Sequence, residues 1–173
     1  MKVFKIILDI IMFLVTFALI EMDITGNFIH EILGITIAVL AIIHVILNWK
    51  WFKNVSKNLK KVNKKSKIMW LTDILICLSY LITIVFGILI SNEIFTFKLG
   101  SNSIIVITHL ITGRLSLIFM LIHVGLHLDR MFKNEILKTV VYILYPIFTV
   151  GMTVYLIYAL THSFQWVSLF GGF

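Results

Sequence analysis

The sequence predicts an all-α, polytopic membrane protein with five transmembrane helices. Of the 173 residues, 60% are hydrophobic and the mean hydropathy is +1.05, which is more apolar surface than a soluble domain can bury. Charged residues are scarce within the apolar runs and concentrated between them. One proline and nine glycines argue against a loop-rich fold.

Five apolar runs each supply the ~20 residues that are needed to cross the hydrocarbon core of a bilayer. These runs predict spans at residues 3–21, 28–51, 68–90, 103–130 and 136–161. The first run carries Asp9 and lacks a small-residue cleavage site, so we expect a retained helix rather than a signal peptide. The last part of the chain, residues 133–173, is then a fifth helix with an outer tail.

The positive charge is unevenly distributed and predicts the orientation of the chain. The net charge is +7, and eight of the fifteen Lys and Arg residues lie within residues 50–67. Residues 53–67 are therefore expected to form a cytoplasmic loop, with the amino terminus inside and the carboxyl terminus outside. Because apolar spans flank this segment on both sides, contact with anionic lipid is a simpler explanation than nucleic-acid binding.

Four histidines form two copies of one spacing. His30 and His44 are fourteen residues apart in the second span, and His109 and His123 are fourteen apart in the fourth. Fourteen residues bring the helix almost to four full turns, so each pair shares a face, with ~21 Å of rise between its members. Both spans run in the same direction, so His30 matches His109 in depth and His44 matches His123. An ionisable side chain at such a depth is costly and is a functional candidate.

The two histidine spans belong to an internal repeat. They read HEILGITIAVLAIIHVILNW and HLITGRLSLIFMLIHVGLHL, and the preceding spans align as LDIIMFL and TDILICL. We therefore predict a four-helix bundle over residues 1–132, built from one repeat at about 1–52 and a second at about 68–132. Binding sites often lie between such copies.

Paired histidines at two depths predict two stacked haems, each held by two axial histidines. A zinc or copper site is the main alternative, but zinc requires ligands clustered at one point, and ~21 Å along a helix prevents that. The single cysteine, Cys77, and the absence of C-x-x-C-H exclude covalent attachment, so the haem is expected to be b-type. Gly34 and Gly113, four residues after the first histidine of each copy, would let a flat macrocycle approach the backbone.

With these residues in view, the chain resembles the b-type cytochromes. H-x13-H on two helices resembles the dihaem cytochrome b core of quinol-oxidising complexes. The short length of the chain and the segment HVILNWKWF are more similar to the flavinylation-associated cytochromes, which are small membrane proteins of bacterial inner membranes. The resemblance covers about residues 1–132. It implies haem ligation by His30, His44, His109 and His123, exchange of electrons with the quinone pool, and a flavin-bearing partner outside the cell. The second copy, HVGLHLDRMF, departs from the pattern at the positions of Asn48 and Trp49.

Three further charged residues each allow two interpretations. Arg114, next to Gly113, pairs either with a propionate of the outer haem or with lipid head groups. Asp9 and Asp73 occupy equivalent positions in the repeat. They are expected either to take up protons or to pair with nearby lysines such as Lys5 and Lys67.

These features predict transmembrane electron transfer through two b-type haems. No segment is suited to NAD or flavin, so electrons are expected to enter from a membrane quinol, such as menaquinol, or from a partner protein. The electron acceptor would be an extracytoplasmic redox protein or flavoprotein. Two alternatives remain open: a haem-bearing anchor subunit of a larger oxidoreductase, and a metal or haem transporter.

Overall fold

The computed structural model describes residues 2–20, 25–95, 103–131 and 135–170, and over these ranges the chain forms five helices. The all-helical prediction is confirmed. In chain order the helices are α1 (Lys2–Ala18), α2 (Asn27–Lys57), α3 (Lys64–Ile90), α4 (Ser103–Met131) and α5 (Glu135–Phe170).

Four of these helices, α2 to α5, contain segments long and apolar enough to cross a membrane. Their large apolar side chains mostly point away from the protein: Ile42 is 62% exposed, Ile46 67% and Leu81 59%. A helix that exposes apolar residues in this way requires an apolar solvent, which is the lipid. The chain is therefore a multi-pass membrane protein. α1, with 17 residues, is the shortest of the five helices.

The lysine-rich segment differs from the expected loop. α2 continues as far as Lys57 and α3 begins at Lys64, so most of residues 53–67 is helical. Lysine is a good helix former, and the helices continue beyond their apolar segments because nothing in the sequence stops them earlier. The turn ends at Asn63, whose side-chain oxygen accepts a hydrogen bond of 2.8 Å from the backbone N–H of Ser66 and caps α3.

Each helix packs on its neighbour in the sequence, whereas the two histidine helices, α2 and α4, do not pack closely on one another. The most buried apolar cluster lies elsewhere, where α4 meets α5 and α1. Its fully buried members are Leu121 and Leu156, and Phe13 and Phe17 of α1 pack against them. This cluster joins α5 to the bundle.

Residues at equivalent positions of the two repeats meet each other inside the bundle. Thr16 and Tyr80 each follow the repeat aspartate by seven residues, and their hydroxyl groups are 2.8 Å apart. In a two-fold arrangement, only residues near the axis contact their own counterparts. A two-fold relation between the repeats would bring counterparts together in this way between α1 and α3, and the histidine contacts described below do the same between α2 and α4.

We expect Leu121→Ala to lower the free energy of unfolding in detergent by ~2–5 kcal/mol, because truncating a fully buried leucine leaves a cavity. Leu144→Ala is the matched control, since Leu144 is 58% exposed while Leu121 is 0% exposed. Thermal or denaturant unfolding should separate the two variants. Equal stabilities would contradict the core assigned to this cluster.

Candidate functional site

The four repeat histidines face each other in two pairs. The ring centres of His30 and His109 are 6.2 Å apart and those of His44 and His123 are 6.4 Å apart. The angle between the ring planes is 72° in both pairs. The partners are those that the matched depths predicted, and each pair joins α2 to α4.

This spacing suits two imidazoles that share one metal ion. With a metal–nitrogen bond of ~2.0 Å and ~1.1 Å from that nitrogen to the ring centre, rings on opposite sides of a metal have centres about 6.2 Å apart. Both observed separations are close to this value. The ring centres of each pair are therefore as far apart as those of two histidines bound to one metal ion.

A carboxylate holds each histidine of the His44–His123 pair. Asp9 Oδ1 lies 2.8 Å from His44 Nδ1, and Asp73 Oδ1 lies 2.8 Å from His123 Nδ1. An ionised carboxylate can only accept, so Nδ1 carries the proton and Nε2 is left as the nitrogen able to bind a metal. Carboxylates orient metal-binding histidines in this way in many proteins. The sequence alone does not predict these contacts, although the equivalent positions of the two aspartates in the repeat are a signal for them.

Lys5 does not pair with Asp9, which was one of the two interpretations of that aspartate. Lys5 Nζ donates to the carbonyl oxygen of Leu47 at 2.7 Å and to Asn48 Oδ1 at 2.9 Å. The side-chain amide nitrogen of Asn48 also lies 3.3 Å from His44 Nε2. This long contact would have to break before His44 Nε2 could bind a metal. In the second repeat the same position is His127, whose ring centre is 4.5 Å from that of His123.

Neutral groups hold His109 of the other pair. Its Nδ1 lies 2.9 Å from the carbonyl oxygen of Thr83 in α3 and donates to it. Gly87, one turn further along α3, packs under the ring, where an added Cβ would be 3.0 Å from His109 Cε1. For His30, no described residue is a hydrogen-bond partner of the buried Nδ1.

Glu31, directly after His30, ties α2 to the end of α3. Its carboxylate accepts hydrogen bonds from the Ser91 hydroxyl at 2.7 Å and from the backbone N–H groups of Asn92, Glu93 and Ile94 at 2.9, 3.3 and 2.8 Å. Thr83, Gly87 and Ser91 follow one another at four-residue spacing and so share one side of α3. This side of α3 therefore positions His109 directly and the segment around His30 through Glu31.

The two repeat glycines lie in the expected helices. An added Cβ at Gly34 would meet no heavy atom of the described residues within 4 Å, and one at Gly113 would be 3.6 Å from Thr83 Cγ2. Gly34 is thus next to open space in a helix that does not pack closely on α4. Arg114 is half-buried beside Gly113, and its pairing with a propionate stays a prediction.

Within the described part of the chain, no group of three or more His, Cys, Asp or Glu side chains could hold a metal ion. No family model, curated protein or solved structure matches the chain.

Gly87→Ala should test the contact that fixes the His109 ring. Replacing glycine by alanine inside a helix normally stabilises it by ~1 kcal/mol, and we expect that gain for Gly151→Ala, where no described atom obstructs the new Cβ. At Gly87 the new Cβ would push on a ring that is anchored to Thr83, so the gain should be lost. Unfolding midpoints in detergent would compare the two variants. Equal gains would contradict the packing of His109 against α3.

Proposed function

We propose that the chain is a dihaem b-type cytochrome that carries electrons across a membrane. The observation that best supports this proposal is the two facing histidine pairs, whose ring centres are 6.2 and 6.4 Å apart. A haem needs only two axial ligands from the protein, because its macrocycle supplies the other four nitrogens. Each pair would therefore supply the two histidines that one haem needs, and the two sites would be separated by ~21 Å of helix rise.

The surroundings of the histidines also suit haem. α2 and α4 do not pack closely on one another, and open space adjoins Gly34 on α2. When bound, b-type haem supplies one-electron chemistry by alternating between ferric and ferrous iron. The chain's own residues have the complementary tasks: the four histidines would ligate the iron, Asp9, Asp73 and Thr83 would orient the rings, and the apolar helices would exclude water.

The charge distribution supports an orientation for these sites. With the lysine-rich ends of α2 and α3 in the cytoplasm, α1 crosses the bacterial inner membrane beside α2, and both termini take the sides expected from the sequence. His30 and His109 then form an outer site, and His44 and His123 form an inner site. Electrons would pass between the membrane quinone pool and an extracytoplasmic redox protein, and a flavin-bearing protein is the candidate partner.

Haem content and its loss in single variants test this proposal. We expect the purified chain to contain two haems b, measured as the pyridine haemochrome against protein concentration. His30→Ala and His109→Ala should each remove one haem and leave the same spectrum, and His44→Ala and His123→Ala should each remove the other. His162→Ala is the control, because His162 contacts Tyr158 rather than any of the four histidines, and it should retain both.

Either of two results would contradict this assignment. A wild-type chain with one haem or none would exclude a dihaem cytochrome. A shared residual spectrum in His30→Ala and His123→Ala would mean that the two sites are composed differently from the pairs proposed.

Gly34→Leu should reduce haem incorporation without preventing folding. Leucine suits a membrane helix, and an added Cβ at this position meets no described atom, so the effect should come from filling the space that a macrocycle needs. Gly151→Leu, in the open on α5, is the control. Haem-to-protein ratios and circular dichroism of both variants give the comparison, and normal haem content in Gly34→Leu would refute the role of the glycine.

A further inference from the structure

The two histidine pairs differ in the charge of the groups that hold them. In the inner pair, both Nδ1 atoms bond to carboxylates, Asp9 for His44 and Asp73 for His123, at 2.8 Å each. In the outer pair, Nδ1 of His109 bonds to the carbonyl oxygen of Thr83 at 2.9 Å. His30 Nδ1 has no hydrogen-bond partner among the described residues.

A carboxylate behind a histidine changes the ligand that a metal meets. It draws the Nδ1 proton toward itself, makes the imidazole more basic, and so increases the electron density that Nε2 donates. An electron-rich ligand with a nearby negative charge favours ferric over ferrous iron, because the ferric ion carries one more positive charge. A neutral carbonyl has the same effect much more weakly.

Lys5 and Glu31 are charged groups near the sites, and both bond to groups other than the histidine rings. Lys5 donates to Asn48 and to the Leu47 carbonyl, not to a ligand ring or to Asp9. Glu31 is an anion near the outer pair, but its carboxylate accepts four hydrogen bonds from Ser91 and the following backbone, which disperse its charge. The two aspartates, in contrast, bond to the ligand rings themselves.

We propose that the two sites have unequal redox potentials, that the inner site has the lower one, and that Asp9 and Asp73 are the positioning residues that create the difference. This inference rests on the proposed function, since it assigns an order to the two haems. It names a role for two aspartates that the histidine spacing alone does not reveal.

Single-site variants test the order directly. The full-length wild-type chain in lipid nanodiscs would be titrated electrochemically, with the absorbance of the reduced haem as the signal. His44→Ala retains the outer site and should titrate at the higher of the two wild-type midpoints, and His30→Ala retains the inner site and should titrate at the lower. The opposite order would overturn the inference. A wild-type chain without haem would overturn the proposed function, and the inference with it.

Charge-removing variants test the cause. Asp9→Asn and Asp73→Asn keep a side-chain oxygen that can accept from Nδ1 but remove the charge, so each should raise the lower midpoint and leave the higher one in place, with two low-spin haems retained. Glu135→Gln is the control, because it removes a negative charge from the same side of the membrane. The Glu135 side chain is 83% exposed, and its carboxylate lies 3.9 Å from Lys138 Nζ. An unmoved lower midpoint in both aspartate variants, or an equal shift of both midpoints, would overturn the inference while leaving the dihaem assignment intact. If the aspartate variants lost the inner haem, the order of the midpoints in His44→Ala and His30→Ala would still decide it.

Discussion

The orientation of an imidazole ring in an apolar interior is the constraint on which the rest of this structure depends. A histidine side chain has two ring nitrogens, and lipid offers a hydrogen-bond partner to neither of them. If one nitrogen is bonded to a fixed partner in the protein, the ring has one orientation and the other nitrogen has one direction. Asp9, Asp73 and Thr83 provide such partners for three of the four histidines. The paired arrangement of α2 and α4 follows from these contacts more than from direct packing of the two helices.

α3 contributes most to this arrangement although it carries none of the four histidines. It supplies the Thr83 carbonyl group and Gly87, which position His109, and the Asp73 carboxylate, which positions His123. The end of α3 also provides the groups that hydrogen-bond to Glu31. Its neighbours α2 and α4 both pack on it, so it sets the distance between them. A change in α3 is therefore transmitted to both pairs, whereas a change in α1 reaches a histidine mainly through Asp9.

Much of this molecule was predictable because its main features are periodic. Helix number follows from apolar runs, and the pairing of His30 with His109 follows from fourteen-residue spacing and parallel helices. The partners of the rings were not predictable in the same way, because they depend on which helices adjoin and how they rotate. Asp9 could have met Lys5 one turn away, and only the packing of α1 against α2 brings it to His44. Gly87 lacked a signal altogether, since a glycine in an apolar run is common and its contact with His109 depends on tertiary structure.

The contact between Thr16 and Tyr80 has a consequence for the origin of the fold. Because Thr16 meets its counterpart Tyr80, two identical copies of a single helical hairpin could assemble through the same contact and would already bring their histidines face to face. Fusion of two such hairpins into one chain would preserve this contact while allowing each half to change independently. The first repeat has Asn48 where the second has His127, and Glu31 where the second has Leu110. An obligate homodimer of identical hairpins could not have acquired these differences. The inequality of the two halves is thus a property that only the joined chain can have.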